Sequence, residues 1–220
     1  MPEEALAIRF DGVTARARGI APCFDVSLTV PAGKQFVLVG REGAGRTAVR
    51  RCLLGDLRPK EGRVLVFGCD PRRERREIAR RIRAGELVVL EERFEPSTGA
   101  TVFATASNPA VAAGADRVGF LSNGRLLLED DVPALLARFR RIQYVNEITD
   151  TRTDYGTELD RFDAVRVKVR GWGVDAVVSN FDEAELERFR RIEGVSEVRA
   201  AAMTMEEIFA AVSGYNGLSD

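Results

Sequence analysis

Histidine is absent from this 220-residue chain, and lysine nearly so, with only Lys34, Lys60 and Lys168 among 33 basic residues. Without imidazole there is no Ser-His or Cys-His nucleophile pair and no histidine-ligated metal. Cysteine is scarce as well. Cys23, Cys52 and Cys69 lie in apolar or turn contexts without metal-ligand spacing, and their odd number argues against a disulfide framework. They read as small, reduced, partly buried residues. Net charge is almost missing, at −1, so no bias towards nucleic acid or a membrane surface follows. No apolar run reaches the ~18–20 residues of a bilayer span, and the opening Met-Pro-Glu-Glu does not read as a signal peptide. The expectation is a soluble, cytoplasmic protein long enough for a substantial core.

What is present is a strand running into a glycine-rich turn. Phe36 to Val39 is an apolar run, followed by Gly40-Arg41-Glu42-Gly43-Ala44-Gly45-Arg46-Thr47 and a segment that reads as a helix to Leu54. The spacing is that of a phosphate-cradling loop, with Arg46 where lysine is expected. Glycines let backbone N–H groups converge on a phosphate without a Cβ in the way, and the helix start adds partial positive charge. Gly40, Gly43, Ala44, Gly45, Arg46 and Thr47 are therefore the candidate phosphate-binding set.

Strands are expected at 6–13, 24–30, 64–67, 87–90, 101–105, 118–121 and 126–128, and helices at 72–84, 109–115 and 133–141. The first of these helices is dense in arginine. It reads as a nucleic-acid patch or a solvated face, and Glu74 and Glu77 inside it favour the second. The character changes near residue 143. Residues 150–160 read as a linker, followed by strands at 164–169 and 176–178, a helix at 182–191, a strand at 195–200 and a helix at 205–212. Asp182 with Glu185, and Thr204 with Glu207, have the spacing of helix caps. Two domains are expected, 1–142 and a small α+β appendage at 143–220. Trp172 and Phe181 in the appendage read as core residues, with dimer contact as the alternative.

The order of segments resembles the nucleotide-binding subunit of an ABC transporter, particularly the type paired with ABC-2-like exporter membrane domains. The resemblance rests on Phe24-Asp25-Val26-Ser27-Leu28-Thr29-Val30-Pro31-Ala32-Gly33 before the loop and Leu54 to Val64 after it. It continues through Gly114-Ala115-Asp116-Arg117-Val118-Gly119-Phe120-Leu121-Ser122-Asn123-Gly124-Arg125, Ala134 to Leu136, and Met203 to Phe209. It implies an α/β P-loop NTPase-like core, with ATP and Mg²⁺ as ligands. It also implies a membrane subunit as partner, together with a complete ATPase or a second copy of this chain, and no nucleic acid. The protein would then sit peripherally on the inner or plasma membrane.

The departures from the family carry as much information. Arg46 keeps a charge where the family has lysine, on a larger, planar fork. Thr47 retains the hydroxyl that the resemblance assigns to Mg²⁺. The adenine-stacking aromatic falls near Arg18, and the switch histidine at Asn108. The interval from Thr47 to Asn108 is short, and no LSGGQ-type signature occurs, so the helical subdomain is expected to be truncated. The segment Leu87 to Glu92 then stands for either of two family elements. As the Walker B strand it supplies Glu91 for Mg²⁺ and Glu92 as the base that orients water. As the strand before the Q-loop it leaves the chain with neither. The expected function is a degenerate ATP-binding subunit with weak or no hydrolysis. The alternatives are a scaffold that binds no nucleotide and a divergent active ATPase using Glu92.

Overall fold

A computed structural model describes residues 5–147, 159–171 and 173–214. The chain divides into two compact units, 1–132 and 133–220.

The first unit is built from two sheets. β1 (Leu6–Ala17) and β2 (Ile20–Pro31) form a long antiparallel hairpin, and β4 (Glu61–Val66) pairs with the other side of β1. The second sheet has the order β5-β6-β3-β7-β8, with β3 (Gln35–Val39), β5 (Leu87–Glu91), β6 (Thr101–Ala106), β7 (Arg117–Ser122) and β8 (Arg125–Asp131). Its first four strands are parallel, and β8 returns antiparallel to β7. Phe36 to Val39 and all of β6 are buried, as expected of inner strands of a parallel sheet covered on both faces. The Phe36 and Phe103 rings stack across β3 and β6 with centroids 5.5 Å apart. α1 (Arg46–Leu53) places Ala48, Val49, Cys52 and Leu53 in one apolar cluster with residues of β1, β2, β3 and β4. The glycine-rich loop is thereby anchored at both ends by core. Burial raises the Cys23 thiol and pushes Cys52 up to about 12, consistent with packing rather than reactive residues.

The arginine-dense segment is helical over α2 (Arg75–Arg83), and only Ile78 on it is buried. Arg80 and Arg81 both pair with Glu77 and with Glu86, which describes a solvated, self-neutralised face. The expected helix after Asn108 is a 3-10 turn, Pro109–Gly114.

α3 (Val132–Arg138), all but its first residue in the second unit, is shorter than expected. Arg140 and Arg141 already belong to β9 (Arg140–Asn146), a strand the sequence reading missed. It missed it because apolar and polar residues alternate only from Ile142 onward, next to a helical pattern. β9 is a central strand of a four-stranded antiparallel sheet ordered β10-β11-β9-β12. The others are β10 (Ala164–Arg170), β11 (Gly173–Val178) and β12 (Val195–Ala202). This pairing ties residues 140–142 to the second unit, which begins at Pro133. α4 (Glu183–Phe189) and α5 (Met205–Val212) carry the expected caps: Asp182 accepts from the Glu185 N–H at 2.9 Å, and Thr204 and Glu207 form a capping box. Tyr144 and Phe162 pack edge-on against Phe189, and Phe181 lies half-buried against the same cluster. Trp172 and most of the 150–160 segment lie outside the described residues.

Candidate functional site

Parallel register brings three strand ends to one level. Val39 lies opposite Ala106, and Glu91 opposite Thr105, so the carboxyl ends of β3, β6 and β5 stand side by side. Ligands of open parallel sheets bind outside such ends. The residues that follow each end form the candidate site: Gly40 to Thr47, Ser107 and Asn108, and Glu92.

The loop's backbone is held on both sides. The Gly40 N–H donates to the Ala106 carbonyl at 3.1 Å, and the Gly124 N–H donates to the Ala44 carbonyl at 2.9 Å. Gly45 has φ +101° and caps α1, and a Cβ there would meet the Pro22 carbonyl oxygen at 2.4 Å. Only glycine fits that position. The backbone N–H groups of Gly43, Gly45, Arg46 and Thr47 make no hydrogen bond among the described residues. Donors left over at a helix start attract an anion. They border a groove of about 330 Å³ running from Arg41 to Thr47 and closed on another side by Gly19, Ile20 and Ala21. Arg18 is exposed at the tip of the β1–β2 hairpin, beside Gly19 in sequence.

Two ion pairs cross from α1 to the end of β5. Arg46 pairs with Glu92 and Arg50 with Glu91, the latter at 2.6 Å. The Arg46 side chain is only 12% exposed, so its charge is largely committed to that contact. The other oxygen of Glu92 accepts from the Ser107 N–H at 2.8 Å and the Ser107 hydroxyl at 2.7 Å. Burial pushes the Glu92 carboxyl up, but the two Ser107 hydrogen bonds and Arg46 outweigh it and leave it below the ordinary carboxylate value. Glu92 is therefore an anion at neutral pH. Its φ of +56° is unusual for a residue with a side chain, and strain of this kind gathers at functional sites. Asn108 is exposed, and its Oδ1 accepts from the Ala110 N–H at 3.0 Å, which caps the 3-10 turn.

The sequence reading missed Arg50 and Ser107. Arg50 lies four residues after Arg46 and so shares its helix face, a spacing that was visible. Nothing local distinguishes Ser107; its role comes from the parallel pairing of β5 with β6.

The model of the ABC transporter family matches residues 23–166 of this chain. The chain belongs to that family. Among curated relatives of this ABC transporter chain, the cobalt import ATP-binding protein CbiO of Rhodobacter capsulatus is 36% identical over 101 residues, covering 46% of this chain and 33% of that protein. The methionine import ATP-binding protein MetN 1 of Burkholderia ambifaria is 35% identical over 116 residues, covering 51% and 31%. The chain thus spans about a third of the length of these relatives. A solved structure of cbiO1 from Clostridium perfringens covers 61% of this chain and 92% of its own, at 11% identity and a TM-score of 0.49. The α/β P-loop NTPase-like ABC nucleotide-binding fold is the one described above, and the family is one of ATP-binding subunits of transporters. No helix among the described residues is long and apolar enough to cross a membrane.

Proposed function

We propose that this chain is a degenerate ATP-binding subunit of a membrane transport complex, one that binds nucleotide–Mg²⁺ and hydrolyses it slowly or not at all. The observation that carries this reading is the Arg46–Glu92 pair. Phosphoryl transfer needs a cation on the phosphates and a group that orients water. In this chain the best candidates for the two roles neutralise each other. A nucleotide must break that contact to engage Arg46, and Glu92 then keeps Ser107 as its remaining partner.

The groove and its unpaired N–H groups suit the phosphates. Thr47 lines the groove and would offer its hydroxyl to Mg²⁺, alongside phosphate oxygens. Glu91 fits that role less well, because Arg50 already holds its carboxylate. The adenine would lie towards Arg18 to Ala21. The partner would be a membrane subunit, with a complete ATPase or a second copy of this chain, placing the protein peripherally at the cytoplasmic face. The exporter-like assignment rests on the order of segments from Phe24 to Phe209; the two curated relatives named above are import ATP-binding proteins, matched over about half of this chain.

Titration with Mg–ATP tests the reading. Micromolar affinity that weakens at least about tenfold in Arg46→Met supports it. No binding at millimolar nucleotide overturns it in favour of a scaffold. Steady phosphate release that vanishes in Glu92→Gln overturns it in favour of an active ATPase, a reading supported by the strained backbone at Glu92.

A further inference from the structure

A second concavity lies in the first unit, and none of its lining comes from the phosphate loop. It is a cleft of about 670 Å³ between the segment at 58–65 and the turn at 70–73. Arg58, Lys60, Arg63, Arg72 and Arg73 line it, against the single acid Asp70. Arg63 pairs with Asp11 at 2.8 Å and Arg73 with Asp70 at 3.6 Å. Arg58, Lys60 and Arg72 have no acidic partner among the described residues. Much of the rest of the unit behaves differently: Arg9, Arg46, Arg50, Arg75, Arg80 and Arg117 each hold an acid. Other arginines of the unit, Arg18, Arg76 and Arg83 among them, also lack an acid among the described residues; what sets Arg58, Lys60 and Arg72 apart is that all three line one hollow.

The cleft is also rigidly held. A Cβ on Gly55 would meet the Pro71 carbonyl oxygen at 2.3 Å, and one on Gly62 would meet the Asp11 carbonyl oxygen at 2.3 Å. The Lys60 N–H donates to the Thr14 carbonyl at 2.7 Å. Asp70 is spent on its own turn, accepting from the Arg72 and Arg73 N–H groups. The backbone therefore holds five cations around a cleft whose lining carries one acid, Asp70, which preorganises them for an anion.

We propose that this cleft binds clustered phosphate groups, independently of the nucleotide groove. Arginine forks match phosphate oxygens two at a time, and several cations on one rim suit a compact, multiply charged ligand. A continuous nucleic-acid strand fits less well than a compact ligand, because most of the arginines that follow Arg73 are neutralised. Only Arg76 and Arg83 on α2 have no acidic partner among the described residues. Arg75 is held by Asp56, and Arg80 and Arg81 by Glu77 and Glu86. The phosphates can come from a soluble polyphosphate or from the headgroups of an anionic membrane.

The test uses the full chain at low salt with two probes, tripolyphosphate in calorimetry and phosphatidylglycerol vesicles in flotation. Phosphatidylcholine vesicles serve as the control. Affinity for at least one probe should fall about tenfold or more in Arg58→Glu/Arg72→Glu and stay within about twofold when two exposed cations outside both concavities are reversed, in Arg83→Glu/Arg125→Glu. The probe that responds identifies the source. All four substitutions are on exposed side chains, and circular dichroism checks the fold of both variants. The proposal is overturned if neither probe binds at millimolar concentration. It is equally overturned if Arg83→Glu/Arg125→Glu costs as much affinity, or if charge reversal at Arg58 and Arg72 leaves binding unchanged.

Discussion

Two arginine-bearing helices of the first unit use the same side chain in opposite ways. On α2, Arg80 and Arg81 reach Glu77 and Glu86, which are three to six residues away in sequence. On α1, Arg46 and Arg50 reach Glu92 and Glu91, which are 46 and 41 residues away. The first set stabilises a surface helix and the turn after it, with Arg81 also lying over the Phe67 ring at 4.3 Å. The second joins the phosphate loop to the end of a different strand, so a change at one partner is felt at the candidate nucleotide site. Local pairs of this kind are worth a few tenths of a kcal/mol, and their number says little about function. The cross-element pairs are fewer, and they join the candidate nucleotide site to a second strand.

That contrast can be broken or sharpened experimentally. The largest effect should come from the loop that carries α1. Gly45→Asp forces a Cβ against the Pro22 carbonyl and a side chain into a left-handed backbone. It should cost about 3 kcal/mol or more in denaturant unfolding and abolish nucleotide binding. Next, Glu92→Gln removes the anion that competes for Arg46. Mg–ATP affinity should rise about threefold to tenfold, measured by calorimetry, as expected when a charge-assisted contact is released. A fall in affinity would mean that Glu92 helps hold the ligand. Arg50→Met should cost less, about 1 kcal/mol, because Glu91 is half exposed and its pair is screened.

The smallest effect belongs to α2. Glu77→Gln should lower the melting temperature only slightly at neutral pH, and that small difference should vanish in acid. Hydrogen bonding from Arg80, and then the neighbouring guanidinium charges, hold the Glu77 carboxyl at about 2 against an ordinary 4.5. A depressed carboxyl contributes stability above its unfolded value and loses it as pH falls through the folded one. The contribution is therefore complete above about 4.5 and disappears towards pH 2. An acid titration of thermal stability should show that limb in the parent chain and a flatter one in Glu77→Gln.

The parallel core was readable because burial on both faces demands unbroken apolar runs, and Phe36 to Val39, Val102 to Ala104 and Val118 to Leu121 supply them. The phosphate loop was readable because its glycines answer a steric demand at fixed spacing. The caps at Asp182 and Thr204 were readable for the same local reason. β9 was not, since its first two residues, Arg140 and Arg141, look like the tail of a helix until β11 and β12 pair with them.

The sequence by itself determined the family, the strand-loop-helix unit at Gly40 to Thr47, and the charged face of α2. Each depends on residues near one another along the chain, where backbone sterics and helix periodicity operate. Tertiary structure alone decided that Arg46 meets Glu92, that Ser107 holds the same carboxylate, and that the unpaired cations Arg58, Lys60 and Arg72 gather around one cleft. Those facts depend on which strand lies beside which and on how far loops approach one another. Charge acts through space, so the partner of an arginine is known only when the chain has been folded around it.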